Sequence, residues 1–252
     1  MLLNSDRAIP LERWKNILVR IGQSIGIVDW RWRVLCYHTI DFSQIKNFRL
    51  QLNSLVEWGF CIRPFSRAFS EFRQCSPPRL LTLSFDDGDW SVCSLVQPIL
   101  DEIGVKGIFY LATNNILQGS TYHSNRPRPA TNWEALRRWI AAGHEIGGHT
   151  HTHVSLPDCD LGKIRDEMMV SREMIMSELG VRPAHFAYPW GRYSPQVLRW
   201  FESQCEWSSA ATVNGVGNRS TTNPFCLGRN VMEPDFPIRQ FQRRVTPLLR
   251  GH

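Results

Sequence analysis

Short apolar segments alternate with longer segments of helical periodicity along this chain of 252 residues. The apolar segments 33–37, 80–85 and 185–188 each precede a stretch whose apolar residues recur at helical spacing. Strands that alternate with helices favour a parallel sheet or barrel, because each helix returns the chain to the end where the previous strand began. The sequence therefore predicts an α/β fold. Its composition, with 42% hydrophobic and 21% charged residues, is typical of a soluble globular protein.

The sequence also predicts the secondary structure of three further segments. The segment 112–130 is polar and contains two prolines, so we predict a loop at the rim of the fold. Residues 225–227 are predicted to form the last strand, and 161–179 a long helix. Four side chains of that helix are predicted to lie in the core rather than on a cofactor surface: Met168, Met169, Ile175 and Met176.

The apolar strand at 80–85 ends abruptly at two adjacent carboxylates and a glycine, Asp86, Asp87 and Gly88. Charged side chains are costly to bury unless they are paired or bound to a cation. One interpretation is therefore a metal, a proton or both at the tip of this strand. The other is an ordinary Asp-Asp-Gly turn, which is common at strand ends.

A dense histidine cluster favours the metal interpretation. Four of the eight histidines lie between residues 144 and 153. His149 and His153 share a face on a helical turn, and on a strand His151 would join them. Imidazole is the commonest ligand for zinc and related metals, although a solvated polar loop is the alternative. Asp87 or Asp86 together with His149 and His153 would form a site with open positions for water and substrate.

These segments resemble motifs of the polysaccharide deacetylase family, also called the NodB-homology or carbohydrate esterase 4 family. The first motif corresponds to Ser84-Phe85-Asp86-Asp87-Gly88 and the second to His149-Thr150-His151-Thr152-His153. A third corresponds to Phe186-Ala187-Tyr188-Pro189-Trp190-Gly191. The resemblance covers about residues 33 to 230. It implies a distorted (β/α) barrel of about seven parallel strands, with the motif residues at the carboxyl ends of strands.

The resemblance also implies a role for each motif residue. Asp86 corresponds to the family's general base, and the backbone N–H at Trp190 corresponds to part of its oxyanion hole. The metal ligands correspond to Asp87, His149 and His153. We expect a divalent metal, with Zn²⁺ first and Co²⁺, Ni²⁺ or Fe²⁺ as alternatives, because the same ligands can hold each of them.

The sequence departs from the commonest family pattern at two positions. The usual late histidine is missing, since His252 is the only histidine after residue 185, and Ala187 stands where the third motif usually has an arginine. The earlier segment Val34-Leu35-Cys36-Tyr37-His38 resembles an element of a branch that includes poly-N-acetylglucosamine deacetylases. That resemblance makes His38 the candidate general acid; an ordinary histidine at a strand end is the alternative. Arg229 is the candidate substitute for the missing arginine and would orient Asp86; a surface charge is the alternative.

The expected function is removal of N-acetyl groups from sugar residues of an oligosaccharide, a polysaccharide or a lipid-linked precursor by a metal-dependent hydrolase. The alternatives are an amide hydrolase that acts on a small non-sugar substrate and a catalytically impaired, saccharide-binding relative. Four aromatic side chains are candidates for stacking on sugar rings or, alternatively, for ordinary packing: Trp90, Tyr122, Trp133 and Trp190.

Residues 1–32 are assigned to a flanking segment and 33–252 to the catalytic domain. Apolar residues in the flanking segment recur at helical spacing between Leu11 and Ile25, which suits a helix on a membrane surface or one docked on the barrel. Seven dispersed cysteines and the absence of a visible signal peptide favour the cytoplasm, with peripheral membrane contact as one interpretation. The net charge of +6 is dispersed, so no nucleic-acid binding is expected; the sequence does not set the oligomeric state.

Overall fold

The computed structural model describes residues 32–74, 79–123, 126–215 and 217–246, and of Tyr122 and His123 it describes the backbone. The predicted amphipathic segment between Leu11 and Ile25 and the flanking segment up to residue 31 lie outside the described residues. Among the described helices, none is long and apolar enough to cross a membrane.

A curled parallel sheet forms the centre of the molecule. Its seven-strand path runs in the order β10-β1-β3-β4-β7-β8-β9, and a short strand, β2, pairs beside β3. A separate antiparallel hairpin consists of β5 and β6. The strands are β1 (Arg33–Tyr37), β2 (Cys61–Ile62), β3 (Leu80–Phe85), β4 (Gly107–Leu111), β5 (Ser120–His123), β6 (Arg126–Pro129), β7 (Glu145–Gly148), β8 (His185–Ala187), β9 (Ser209–Ala211) and β10 (Asn230–Val231).

Helices connect the strands around this sheet. In chain order they are α1 (Ile45–Glu57), α2 (Phe65–Gln74), α3 (Gln97–Ile103), α4 (Thr113–Gln118), α5 (Trp133–Ala141), α6 (Leu161–Leu179), α7 (Pro195–Ser203) and α8 (Ile238–Val245). Local chemistry sets several helix ends. The side chain of Asn132 accepts a hydrogen bond from the Ala135 N–H at the start of α5, and Asp160 caps α6 in the same way. Gly180 ends α6 in the left-handed conformation at φ 67°.

The core lies on both faces of the sheet because successive side chains of a strand point to opposite faces. Leu35 and Phe109 belong to the larger cluster, which includes residues of the surrounding helices. Their strand neighbours Val34 and Ile108 belong to a second cluster, together with Ala187. All five side chains are fully buried. Strands β3, β4, β8 and β9 are therefore buried on both faces.

The sheet is curled so that one segment contacts both of its edges. Leu227 forms a parallel bridge with Ala211 of β9, and β10 pairs with β1 three residues later. This confirms the prediction of a distorted (β/α) barrel of about seven parallel strands. The carboxyl ends of its strands meet on one side, where barrel enzymes hold their active sites.

Two segment predictions were wrong. Residues 112–130 contain α4 and the β5–β6 hairpin rather than a loop, since Gly119 ends the helix at φ 65° and the prolines Pro127 and Pro129 lie in a two-stranded ribbon that tolerates them. Residues 225–227 include a turn of 3₁₀ helix that Asn223 caps, and the last strand follows at β10. Proline at the first position of that turn suits the helical form.

The core prediction for α6 was half correct. Met168 and Ile175 are buried, whereas Met169 and Met176 are 41% and 43% exposed. The helix packs one face against the sheet, and each adjacent residue is turned by about 100° toward solvent. Periodicity along the helix therefore separates the two pairs.

We predict that Gly147→Ala destabilises the barrel. A Cβ atom at Gly147 would lie 2.3 Å from a ring carbon of Tyr110 and 2.9 Å from the His185 carbonyl oxygen. Overpacking of this kind should lower the free energy of unfolding by about 1–3 kcal/mol in a denaturant titration. The matched control is Gly162→Ala in α6, where the nearest atom is the capping oxygen of Asp160 at 3.3 Å, a contact that a small shift relieves, so a smaller stability loss is expected. Equal stability of the two variants would contradict the packing argument.

Candidate active site

Four loops at the carboxyl ends of strands bring the predicted site residues together. His38 follows β1, Asp86 and Asp87 follow β3, the histidine loop follows β7, and Trp190 follows β8. These residues line one cavity of about 380 Å³. Several side chains share this wall: His38, Asp86, Asp87, His149, His153, Tyr188, Trp190 and Glu233.

Asp87, His149 and His153 converge on one point. Asp87 Oδ1 lies 3.4 Å from His149 Nε2 and 3.2 Å from His153 Nε2, and one ligand atom from each residue lies within 4.8 Å of the others. His149 Nδ1 is 2.7 Å from the Ala187 carbonyl oxygen, which accepts a hydrogen bond from the Nδ1–H group. In the neutral ring this leaves the lone pair of Nε2 directed into the site.

The donor set fits a divalent cation. Asp87 Oδ1 is buried, and within the described residues it accepts no hydrogen bond of good geometry although two imidazole nitrogens are close. A buried carboxylate oxygen without a donor needs another positive partner. Two imidazoles and one carboxylate that leave coordination positions open are the ligands of catalytic zinc and of related metals. His151 is not part of this set, because its Nδ1 lies 2.9 Å from Thr113 Oγ1.

A buried arginine fixes Asp86 beside this trio. Arg229 Nη1 and Nη2 donate to the two carboxylate oxygens at 2.7 and 2.8 Å, and Nη1 also lies 3.3 Å from Ser84 Oγ. The side chain of Arg229 is fully buried, so the interpretation of Arg229 as a surface charge was wrong. The geometry is the one that an orienting role requires, and the role itself stays a prediction.

The charge of Arg229 also keeps Asp86 ionised. Burial raises the pKa of Asp86, but the charge and hydrogen bonds of Arg229, together with the charges of His149 and His38, outweigh burial, and the net pKa lies below the usual value of 3.8. The thiol of Cys36 donates to Asp86 Oδ2 at 3.4 Å. Asp86 is therefore a carboxylate at neutral pH and a proton acceptor held in one orientation.

His38 and Trp190 lie on the wall of the same cavity. A ring nitrogen of His38 is within 4.8 Å of both the Cys36 sulfur and a carboxylate oxygen of Asp86. The indole of Trp190 is 57% exposed, and its ring centroid lies 4.4 Å from that of His153. An exposed aromatic face therefore borders the trio. The predicted roles of His38 as acid and of the Trp190 N–H in an oxyanion hole stay predictions.

The other candidate aromatic residues are placed differently. Trp133 packs against the larger core cluster, and Trp90 is half-buried with its ring 5.9 Å from Phe42. The side chain of Tyr122 lies outside the described part of the structure. Of the three whose side chains are described, Trp190 is the one that lines the reaction cavity.

Comparison with known proteins agrees with this site. A family model described as polysaccharide deacetylase matches residues 73–204, which is 132 of the 252 residues. The chain belongs to the polysaccharide deacetylase family. A chitooligosaccharide deacetylase of Bradyrhizobium sp. (strain ANU 289) is 31% identical over 125 residues, which cover 49% of this chain and 51% of the relative. A chitin deacetylase of Pestalotiopsis sp is 31% identical over 116 residues, covering 46% and 36%. The matches thus span about half or less of these curated relatives.

Solved structures share the fold over nearly the whole described chain. The Streptococcus pyogenes deacetylase PplD in complex with acetate superposes with a TM-score of 0.75 at 18% identity, covering 86% of this chain and 99% of that one. IcaB from Ammonifex degensii gives a TM-score of 0.74 at 22% identity, covering 86% and 97%. At these identities the likeness establishes the fold.

Backbone strain is concentrated at the deacetylase-family motifs. Five non-glycine residues in the described part of the chain have a positive φ, and four of them belong to the motif loops. These four are Asp87 at 73°, Thr150 at 67°, His153 at 55° and Trp190 at 54°. Such conformations cost about 1–3 kcal/mol each and persist where the surroundings impose them. The clustering indicates that the loops are shaped for the position of their side chains and amides.

Glu167 of α6 imposes the shape of the histidine loop. Its carboxylate accepts hydrogen bonds from His151 N at 2.9 Å, Thr152 N at 2.7 Å and Thr152 Oγ1 at 2.6 Å. Glu167 is 2% exposed, and Lys163 Nζ lies 2.8 Å from its Oε1. Burial raises the pKa of Glu167, but the hydrogen bonds from Lys163 and Thr152 outweigh this and keep it below its usual value.

Sequence reasoning missed Glu167, although a signal was present. The residue lies in the buried stripe of α6 that also contains Ile164, Met168, Ser171 and Ile175. A carboxylate among core positions requires hydrogen-bond partners, and here they are the backbone amides between the metal-binding histidines. The buried stripe of α6 identifies Glu167 from the sequence, but only the fold shows that Glu167 contacts the histidine loop.

We predict that Glu167→Gln weakens metal binding about 10- to 100-fold, the usual effect of removing a partner that supports the ligands. A glutamine has one acceptor oxygen: if it accepts from the N–H groups of His151 and Thr152, its NH2 group faces Lys163 Nζ, so the loop that carries His153 loses the charged part of its support. Competition with a chromogenic chelator measures the affinity, and thermal unfolding of the metal-free protein separates this effect from general instability. The control is Glu178→Gln, an exposed carboxylate of the same helix. Unchanged affinity in Glu167→Gln would refute the positioning role.

Proposed function

We propose that this protein is a metal-dependent hydrolase that removes N-acetyl groups from N-acetylated sugar residues of an oligosaccharide, a polysaccharide or a lipid-linked precursor. The observation that carries the proposal is the position of the Asp87–His149–His153 trio beside the carboxylate of Asp86 in one cavity. Membership of the family supports the reaction type. The names of the relatives, chitooligosaccharide and chitin deacetylases, support a saccharide substrate.

The residues divide the work of amide hydrolysis. A divalent cation held by Asp87, His149 and His153 would supply a Lewis acid for the acetyl carbonyl and lower the pKa of water. Asp86 accepts the proton of the attacking water, and Arg229 keeps its carboxylate ionised and aimed. The backbone N–H of Trp190 stabilises the oxyanion as the carbonyl carbon becomes tetrahedral.

The second half of the reaction needs an acid. An amide nitrogen leaves poorly as an anion, so it must gain a proton as the C–N bond breaks and acetate forms. We assign this proton to His38, whose ring nitrogen lies within 4.8 Å of Asp86. The proton that Asp86 removes from water and the proton that His38 donates then balance the release of a free amine and acetic acid, which ionises to acetate and a proton in solution.

Zn²⁺ is the proposed metal, with Co²⁺, Ni²⁺ and Fe²⁺ as alternatives that this ligand set also accepts. A sugar ring is the proposed partner of the exposed indole of Trp190, because aromatic faces offer a large apolar surface at a polar rim. A cytoplasmic location, with peripheral contact to a membrane, remains part of the proposal and is tested by cell fractionation. The alternative of an impaired, saccharide-binding relative is disfavoured by the presence of both Asp86 and His38.

We predict that Asp86→Asn is less stable than wild type, because Arg229 loses its buried partner, and that the folded variant retains the metal but loses about 10²–10⁴-fold in turnover, the usual contribution of a general base. His149→Ala should instead lose the metal together with activity. Metal analysis of the purified variants and a mass-spectrometric assay of acetyl loss from chitin oligomers and poly-N-acetylglucosamine oligomers measure both effects. Equal turnover in wild type and Asp86→Asn would refute the proposed base.

The same assay separates the alternative substrates. Small non-sugar amides, such as allantoin-like compounds, are tested beside the oligosaccharides for release of acetate or amine. Activity confined to the small amides would replace the sugar proposal with an amidase on the same scaffold. Saccharide binding without acetyl loss in metal-loaded protein would favour the impaired relative.

A further inference from the structure

A second cavity lies between α6 and α7, and it shares no lining residue with the reaction cavity. Its volume is about 510 Å³, within the range of small-molecule sites. Apolar side chains form much of its wall, including Met168, Met176, Trp200 and Trp207. Met169 and Met176, the exposed methionines of α6 that were wrongly predicted to lie in the core, both belong to this wall.

One arginine of the cavity wall, Arg172, has buried donors without a partner among the described residues. The side chain of Arg172 is 12% exposed, and its Nε and Nη2 atoms are buried without a hydrogen-bond partner among the described residues. The nearest carboxylate oxygen, Glu206 Oε1, is 4.0 Å from Nη1, which is beyond hydrogen-bond distance. Buried donors without acceptors are rare in folded proteins, and a bound ion or ligand is a recognised explanation.

The two unused atoms lie on the same edge of the guanidinium group. The Nε–Nη2 edge presents two parallel N–H donors, and this spacing matches the two oxygens of a carboxylate or phosphate. The ring of Trp207 lies 5.9 Å from Arg172 Cζ and helps to orient the group. Arg165 and Arg182 also line the cavity, against the two carboxylates of Glu173 and Glu206, so its wall carries a net positive charge.

We propose that this cavity is a second binding site, for a small ligand that carries a carboxylate or phosphate group on an apolar body. The guanidinium group of Arg172 would turn its buried Nε–Nη2 edge toward the cavity to pair with the oxyanion, and the apolar body would contact the methionine and tryptophan side chains. An uncharged sugar ring would leave the donors without a charged acceptor. The proposal does not depend on the deacetylase function.

Calorimetric titration of the full-length, metal-loaded protein with phenyl phosphate, benzoate, phenol and inorganic phosphate tests this site, in a buffer free of other oxyanions. We expect saturable binding of phenyl phosphate or benzoate, and at least tenfold weaker binding of phenol and of inorganic phosphate. The tighter of the two aromatic anions identifies the head group. His149→Ala should leave this binding unchanged, which separates it from anion binding at the metal.

Arg172→Met should weaken binding of the aromatic anion at least tenfold, and Arg172→Lys should weaken it less, because lysine keeps the charge but lacks the paired donors. Arg239→Met on α8, which is not part of the cavity wall, is the matched control and should bind as wild type does. Absence of saturable anion binding, equal affinity in Arg172→Met, or loss of binding in His149→Ala would each overturn the proposal. If Arg172→Met does not fold, equal affinity in Arg172→Lys would overturn it as well.

Discussion

The buried pair of Asp86 and Arg229 is the interaction on which the rest of the structure depends. Arg229 lies immediately before β10, and its Nε donates to the Thr212 carbonyl oxygen just after β9, while its other nitrogens hold the tip of β3. One side chain thus links both edges of the curled sheet to its centre. Removing one member of a buried ion pair leaves an uncompensated charge, which is strongly destabilising. The fold and the orientation of Asp86 therefore both depend on the Asp86–Arg229 ion pair.

The metal trio is supported in a different way, through hydrogen bonds to backbone rather than through a charge pair. Glu167 holds the amides of His151 and Thr152, and the Ala187 carbonyl holds the imidazole of His149. The left-handed backbone at Asp87 and His153 is the energetic cost of this arrangement. Helix α6 carries Glu167 and packs on the sheet. The favourable energy of that packing offsets the strain of the left-handed residues. The shape of the histidine loop therefore depends on the packing of α6 against the sheet.

The sequence was sufficient for the fold class and for the principal site residues because both have local signatures. The strand 80–85 leads directly into the Asp-Asp pair, and the histidine cluster lies within ten consecutive residues, 144–153. Glu167 could not be paired with its loop, since the contact joins residues 15 and 16 positions apart through tertiary packing. The segment 225–227 was misassigned because its apolar residues suit a strand, whereas Asn223 and the following proline favour a capped turn. Closure of the barrel determined which of these two local preferences, strand or capped turn, the segment adopts.

The strong Arg229 partner creates a tension in the proposed chemistry. An arginine that lowers the pKa of Asp86 makes it a weaker base, which by itself would slow proton removal from water. The proposed mechanism resolves this by placing the Asp87–His149–His153 trio next to the base, since a cation there would make the attacking water more acidic. Proton transfer then depends on how closely the pKa of the water matches the pKa of Asp86, and a strongly basic carboxylate is not required. A site with Asp86 and Arg229 but without the trio would hold a well-oriented carboxylate that is too weak a base for its task.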